Sequence, residues 1–378
     1  VKVLIAPDKF KNSLTAKEVC AAVERGLLKI DPSLSIESIP LADGGEGTCE
    51  ILTEHSKGSI VYTEVSDPLF RKITAHYGIS GDGSTAFIEM ASASGLQLLS
   101  KEERNPAKTS TYGTGELIKN AIDRGVRKIT LAIGGSATND AGMGMVAALG
   151  TLFFDKNKNE LSPIGENLIH INEINTDSSF LSELELETIV LCDVTNELFG
   201  IDGAAYVYAK QKGARDGDLQ MLDLGLKNFA SCVTKDLMID VNFPGAGAAG
   251  GLGAGAKAFL NATFKSGIDY LLDTLKLEGH IKNADLIITG EGKMDQQTLS
   301  GKVVMGVAQL AANHKKPVIA ITGKNELSQE SIQKVGLQNV ITLINETTTE
   351  AEAIKHAANL ITDRISLLLP TAYFNKQS

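Results

Sequence analysis

Apolar positions in the first forty residues follow a strand–helix–strand rhythm. Val3 to Ile5 form a short apolar run, and the polar stretch APDKFKNS follows. Thr15 and Glu18, in the spacing T-x-x-E, predict a capping box at a helix start. Ala16, Val19, Cys20, Val23, Leu27 and Ile30 then recur at the spacing of one buried helix face. Ile36, Ile39 and Leu41 read as a second strand leading into ADGGEGT. The last hundred residues repeat this grammar. Leu286 to Ile288 predict a strand ending in TGEG, and Val304, Val307, Ala308 and Ala311 mark one face of a helix. Val318 to Ile321 predict a strand ending in TG, and a short helix closes at Gly336, a suitable C′ residue. Val340 to Leu343 give a further strand. Thr349 and Glu352 repeat the capping box before a helix expected to bury Ile354, Ala357, Ala358, Ile361, Ile365 and Leu368.

Five strands joined in this way predict parallel pairing with helices on both faces. The economical arrangement is an α/β, doubly wound parallel sheet of order 2-1-3-4-5. Ligands of such sheets bind at the carboxyl ends of the strands, near the switch point. The loops expected there are Asp8–Ser13, Asp43–Thr48 and Gly290–Asp295. The middle of the chain reads differently. Strand-like runs at Ile73–Tyr77, Thr85–Met90, Ile129–Ile133 and Thr188–Cys192 alternate with helical runs near Glu116–Arg124, Asp218–Leu237 and Gly255–Leu260. This predicts a second α/β domain, residues 66–281, inserted into a first made of 1–65 and 282–378. The active site is expected in the cleft between them.

Composition narrows the function. A 43% apolar fraction suits a globular core, and a formal charge of −10 argues against nucleic acid or an anionic membrane as partner. Aromatic residues are 5% of the chain and Trp is absent, so base-stacking platforms are not expected. No apolar run reaches the ~18 residues of a membrane span, and the start of the chain lacks a signal-peptide pattern. Cys20, Cys49, Cys192 and Cys232 form no C-x-x-C pair, which fits reduced thiols in the cytoplasm. The six histidines show no H-x-x-x-H spacing, so no zinc site is expected.

Glycine is the unusual residue, with 37 copies, many clustered. In ITLAIGGSATNDAGMGM a strand runs into Gly134-Gly135-Ser136-Ala137-Thr138-Asn139-Asp140 before a helix. Helix N-termini and glycine backbones receive phosphate, but the same stretch also reads as an ordinary turn with an Asn or Asp cap. A second run, Pro244 to Gly251, holds a formal G-x-G-x-x-G at Gly245, Gly247 and Gly250. It lacks the preceding strand that the dinucleotide fingerprint needs. It reads first as a nucleotide-contacting loop, with a tight helix-packing stretch as the alternative. Walker A and protein-kinase signatures are absent. Asp8, Asp43, Glu46, Asp193, Glu291 and Asp295 lie in or beside these loops, where carboxylates hold Mg²⁺, accept a hydroxyl proton or simply cap a turn. Lys9, Lys11, Lys212 and Lys293 are the nearby cations, suited to an anionic substrate or to plain solvation.

The stretches APDKFKNSLTA, PLADGGEGT, IEMASASGL, TYGTGELI, AIGGSATNDAGMGM, LCDVTN, QKGA, PGAGAAGGLGA and ITGEGKMDQQTLSGK together resemble the bacterial type I glycerate kinases, in family order and along nearly the whole chain. The resemblance implies ATP-dependent phosphorylation of D-glycerate, most simply to 2-phosphoglycerate, and a requirement for Mg²⁺. It also implies a flavodoxin-like domain and an inserted domain of restriction-enzyme-like character. Lys9, Glu197, Arg215 and the pair Lys324-Asn325 depart from the family pattern without removing an evident catalytic group.

Phosphoryl transfer needs positioning and charge neutralisation more than covalent help. Gly134, Gly135, Ser136, Thr138 and Asn139, with Gly245, Gly247, Gly250 and Gly251, are therefore expected at the nucleotide phosphates. Asp193 and Asp295 are expected at Mg²⁺, and Asp43 at the attacking hydroxyl. Lys11 is expected to neutralise substrate or phosphate charge, with Lys212 as a second cation. Asp8, Ser13, Ser94, Tyr112 and Glu291 are expected to line the substrate pocket. The other readings are a kinase giving 3-phosphoglycerate, a nicotinamide-dependent hydroxy-acid dehydrogenase resting on G-x-G-x-x-G, and a ligand-sensing protein without catalysis.

Overall fold

The computed structural model describes residues 1–179, 181 and 184–369. Its strands are β1 (Lys2–Ile5), β2 (Ser35–Ser38), β3 (Ser59–Ser66), β4 (Lys72–Ile79), β5 (Thr85–Glu89), β6 (Lys128–Ala132), β7 (Leu152–Phe154), β8 (Glu173–Asn175), β9 (Glu187–Leu191), β10 (Thr263–Lys265), β11 (Leu286–Met294), β12 (Val318–Asn325) and β13 (Asn339–Thr342). The chain is mixed α/β and divides into two compact units. The first comprises Val1–Asp43 and Gly267–Ser378, the second Gly44–Ser266.

In the first unit the sheet order is β13-β12-β11-β1-β2 and every neighbouring pair is parallel. Val3, Ile5, Ile288, Ile319 and Ile321 give the sheet a buried apolar face, against which Val19, Val23, Leu27, Ile361 and Ile365 pack. The helix Ala16–Ile30 starts with the complete Thr15–Glu18 capping box. It lies against the helix Ala357–Leu368 at Gly26, where a Cβ would stand 2.7 Å from Thr362 O. The second box, Thr349–Glu352, is also formed, but its helix spans only Glu350–Lys355 before a break at His356. Ile354 and Leu368 face outward, 41% and 48% exposed, against the expectation that both are buried.

Two further expectations change. Gly290 to Met294 continue β11 rather than forming a loop, because β12 runs on beside them to Asn325. Glycine permits this, since a Cβ on Gly290 would stand 2.1 Å from Ile321 O. The unit boundaries also lie at 43/44 and 266/267 rather than at 65/66 and 281/282. β3 pairs antiparallel with β4 along its whole length, which draws its residues into the middle unit. The helices Gly267–Thr274 and Leu277–Asn283 belong to the first.

The middle unit is built on a six-stranded sheet of order β10-β9-β6-β5-β4-β3, parallel from β10 to β5 and antiparallel thereafter. β7 and β8 form a separate two-stranded ribbon. Tyr77, Phe153 and Phe229 are among the largest fully buried side chains of its core.

Candidate functional sites in the two units

In the first unit β1 sends its crossover helix to one side, toward β2, while β11 lies on its other side. A loop at the carboxyl ends of β1 and β11 is therefore at a topological switch point. Asp8 follows β1, and its backbone N–H donates to Gly290 O at 2.8 Å, which seats it beside Glu291 of β11. Both carboxyls are buried, 7% and 5% exposed. Burial first, then the charge of Asp43, pushes Asp8 up to about 7; Glu291 adds to the shift and Lys9 opposes it. Glu291 is likewise pushed up to about 7, by burial first. Its Oε1 accepts from Thr298 Oγ1 at 2.6 Å, and Lys302 offsets part of the repulsion from Asp295 and Asp43. Asp8, Asp43 and Glu291 thus form one electrostatically coupled cluster.

The other expected residues of this unit are more occupied. Asp295 Oδ1 accepts from Gln297 N at 2.9 Å, and Asp295 Oδ2 lies 3.4 Å from Lys293 Nζ. Ser13 Oγ donates to Ile354 O at 2.6 Å. Lys11 is exposed, in the turn between Phe10 and Leu14.

The Gly134–Asp140 loop of the middle unit follows β6. Gly134 and Gly135 are exposed, whereas Ser136 to Asp140 are buried. The helix behind the loop is short, Met143–Ala147, and its first amides are already taken. Asp140 accepts from Gly142 N, Gly144 N, Thr111 N and Thr111 Oγ1 at 3.3, 3.1, 2.7 and 2.7 Å. At these amides the Asp-cap reading of the motif is the one observed. Lys212 is buried beneath the loop, and its Nζ donates to Ser136 Oγ at 2.6 Å and to Thr138 O at 2.7 Å. Burial drives this amine down to about 7, against the pull of Asp140. Lys212 is thus a strut inside the loop, whereas the sequence suggested a cation facing phosphate.

The second glycine run supports the first. A Cβ on Gly250 would stand 2.0 Å from Thr138 O, and one on Gly247 would stand 2.2 Å from Glu197 O. Ala249, Gly250 and Gly251 are all left-handed, with φ of 55°, 70° and 91°. Gly245, at φ 98°, donates from its N–H to Asn196 O at 3.1 Å. These glycines let backbone pack on backbone, and a helix rather than a strand is the element before them. The dinucleotide fingerprint, and the dehydrogenase reading with it, therefore falls. Ser94 is fully buried and bonded to Thr114 Oγ1 at 2.8 Å. The Tyr112 ring packs on Phe70 at 5.9 Å between centroids. Asp193 is exposed just beyond β9.

Sequence reasoning missed three contributors. Thr298 and Lys302 sit inside a motif whose acidic residues drew the attention. Glu89 accepts from Gly47 N and Cys49 N at 2.8 and 2.9 Å, fastening the start of the helix Thr48–His55; its place at the end of a buried strand was the available signal.

A glycine-rich loop after β6 in one unit and a carboxylate cluster at a switch point in the other are the candidate site features of this mixed α/β chain. The family model described as the glycerate kinase family matches residues 3–371, and the chain belongs to that family of phosphotransferases. It is 44% identical to a protein named glycerate 2-kinase from Escherichia coli (strain K12), over 94% of each chain. It is also 44% identical to a glycerate kinase from Bacillus cereus (strain ATCC 10987 / NRS 248), again over 94% of each. A crystal structure of a Salmonella typhimurium LT2 protein described as glycerate kinase 2 superposes with a TM-score of 0.85 at 43% identity, covering 97% of this chain and 96% of that one. Among the described residues no helix is long and apolar enough to cross a membrane.

Proposed function

We propose that the chain uses ATP and Mg²⁺ to phosphorylate the C2 hydroxyl of D-glycerate in the cytoplasm, giving 2-phosphoglycerate. The observation that carries this reading is the Asp8–Asp43–Glu291 cluster, in a chain 44% identical to a relative named glycerate 2-kinase. Oxygen donors of this kind fit Mg²⁺. Asp8 and Glu291 are raised by burial and repulsion, and a divalent ion would relieve both. We assign the ion to them ahead of Asp295, whose oxygens already face Gln297 and Lys293. When bound, the ion neutralises charge on the phosphates.

Asp43 orients the attacking hydroxyl and accepts its proton. Lys11 holds the glycerate carboxylate, which fixes the hydroxyl that is presented. Misplacing the reacting oxygen by ~1 Å can cost about 10²-fold in rate, so one product dominates. Gly134 and Gly135 offer exposed backbone to phosphate, on a loop kept in shape by Ser136, Asp140 and Lys212. Thr138 Oγ1 and both polar side-chain atoms of Asn139 are buried without a protein partner, a cost that a bound water or ligand group would remove. In this reading the first unit is a flavodoxin-like domain, and the middle unit is an inserted domain of restriction-enzyme-like character.

The test couples the reaction to enolase. With ATP, Mg²⁺ and D-glycerate, phosphoenolpyruvate should form without added mutase. Formation only after mutase is added would assign the C3 hydroxyl instead. Absence of ADP release with glycerate would end the kinase reading.

A further inference from the structure

Cys49 Sγ, a Glu50 carboxylate oxygen and a His76 ring nitrogen lie within 4.8 Å of one another in the middle unit. We infer that these three side chains form a binding site for one divalent ion of the zinc class, with water completing the coordination. The site uses none of the residues assigned above to phosphoryl transfer.

Local structure places each donor. Cys49 and Glu50 occupy the first turn of the helix Thr48–His55, which Glu89 fastens through Gly47 N and Cys49 N. His76 lies on β4, two residues before Gly78 and so on the same face of the strand. A Cβ on Gly78 would stand 1.7 Å from Thr53 Oγ1. The missing side chain lets the helix sit low on the strand, and the thiol of Cys49 arrives beside the imidazole. His76 Nε2 is 2.8 Å from Glu50 Oε1, and Tyr62 packs on the ring at 5.6 Å between centroids.

The donor chemistry selects the ion. Thiolate and imidazole favour Zn²⁺, whereas Mg²⁺ requires near-octahedral oxygen. Zinc bonds of about 2.0–2.3 Å put tetrahedral donors roughly 3.3–3.8 Å apart. The ring and the carboxylate close that distance by small rotations, since their side chains are 30% and 52% exposed. Burial first, then the carboxylates of Glu50 and Glu89, disfavours the Cys49 thiolate. A dication facing all three reverses that balance. It takes Cys49 as thiolate with loss of one proton and His76 as neutral imidazole, so affinity rises with pH.

The full chain, stripped of metal, should bind one equivalent of Zn²⁺ at micromolar affinity or tighter in competition with a chromophoric chelator. Millimolar Mg²⁺ should not displace it. Co²⁺ in its place should give a thiolate-to-metal charge-transfer band in the near ultraviolet. Cys49→Ser should abolish the band. Glu50→Gln and His76→Gln alter more exposed groups and should spare the fold. Each should weaken binding by more than the ~10–100-fold that loss of an outer partner costs a metal site. Binding only at millimolar zinc, a cobalt spectrum without the thiolate band, or unchanged affinity in all three variants would overturn the site.

Discussion

The loop after β6 and the cluster at the ends of β1 and β11 treat buried charge in opposite ways. In the loop, Asp140 is fully buried but receives four hydrogen bonds, and the Lys212 ammonium donates to Ser136 and Thr138. Burial still raises Asp140 and drives Lys212 down to about 7, but the hydrogen-bond partners of both groups lie within the protein. In the cluster, Asp8 and Glu291 are raised to about 7, and the cations that oppose this are Lys9 and Lys302. A group whose partners are internal gives shape. A group left short of countercharge gives affinity for something from outside, and perturbed carboxyls of this sort gather at functional sites.

The sharpest break between the two regions comes from Asp43→Asn. If Asp43 takes the hydroxyl proton, kcat should fall by about 10²–10⁴ with an unchanged melting temperature. Steady-state kinetics at saturating ATP and glycerate check it, and near-normal kcat would reduce Asp43 to a bystander.

Lys212→Met should act on stability instead. It leaves Ser136 Oγ and Thr138 O unpaired, at about 1–3 kcal/mol for a buried group, partly offset by removing a desolvated amine. Urea unfolding measures the difference. The sign with pH is fixed by the depressed amine. Between about 7 and its ordinary 10.5 the unfolded chain binds the extra proton, so wild-type stability rises across that window relative to the variant. A flat difference would mean that Lys212 titrates normally.

The smallest expected effect concerns the cluster itself. Asp8 and Glu291 have folded values near 7 against ordinary values of 3.8 and 4.5. The folded state binds more protons between these limits, so their contribution to stability is full at low pH and is lost as pH rises toward 7. Mg²⁺ should recover it, raising the melting temperature more at pH 8 than at pH 5. Asp8→Asn should flatten that dependence, and equal Mg²⁺ shifts at both pH values would remove the cluster from metal binding.

Local signals in the sequence carried the parallel α/β class and much of the first unit. The boxes Thr15–Glu18 and Thr349–Glu352 form because each is complete within four residues. What escaped depends on partners distant in sequence. β11 runs through TGEG because β12 accompanies it, and β3 joins the middle unit because β4 claims it. Lys212 read as a cation facing phosphate because nothing in QKGA reveals that Ser136 Oγ, 76 positions away, accepts its hydrogen bond. The metal cluster was invisible for the same reason, with Cys49 and Glu50 on a helix and His76 on a strand 26 residues beyond Glu50. Among the site residues, Asp8, Asp43 and Glu291 were legible as acids at strand ends, but their mutual repulsion was not.

The pairing of Val3 with Leu286 has a consequence for how the chain is made. β1 leaves the ribosome well before its neighbour β11, which is synthesised some 280 residues later. At ~5–20 residues per second the wait is about 15–60 s. Meanwhile the helix Ala16–Ile30 lacks its partner Ala357–Leu368, and its apolar face, with Val19, Val23 and Leu27, has nothing from the end of the chain to cover it. The middle unit is continuous in sequence and complete at residue 266, so its own sheet can close within that interval. On a nascent chain of this protein the β1–helix segment therefore matures after the middle unit that follows it, and that segment is where a holdase chaperone would be expected to bind during translation.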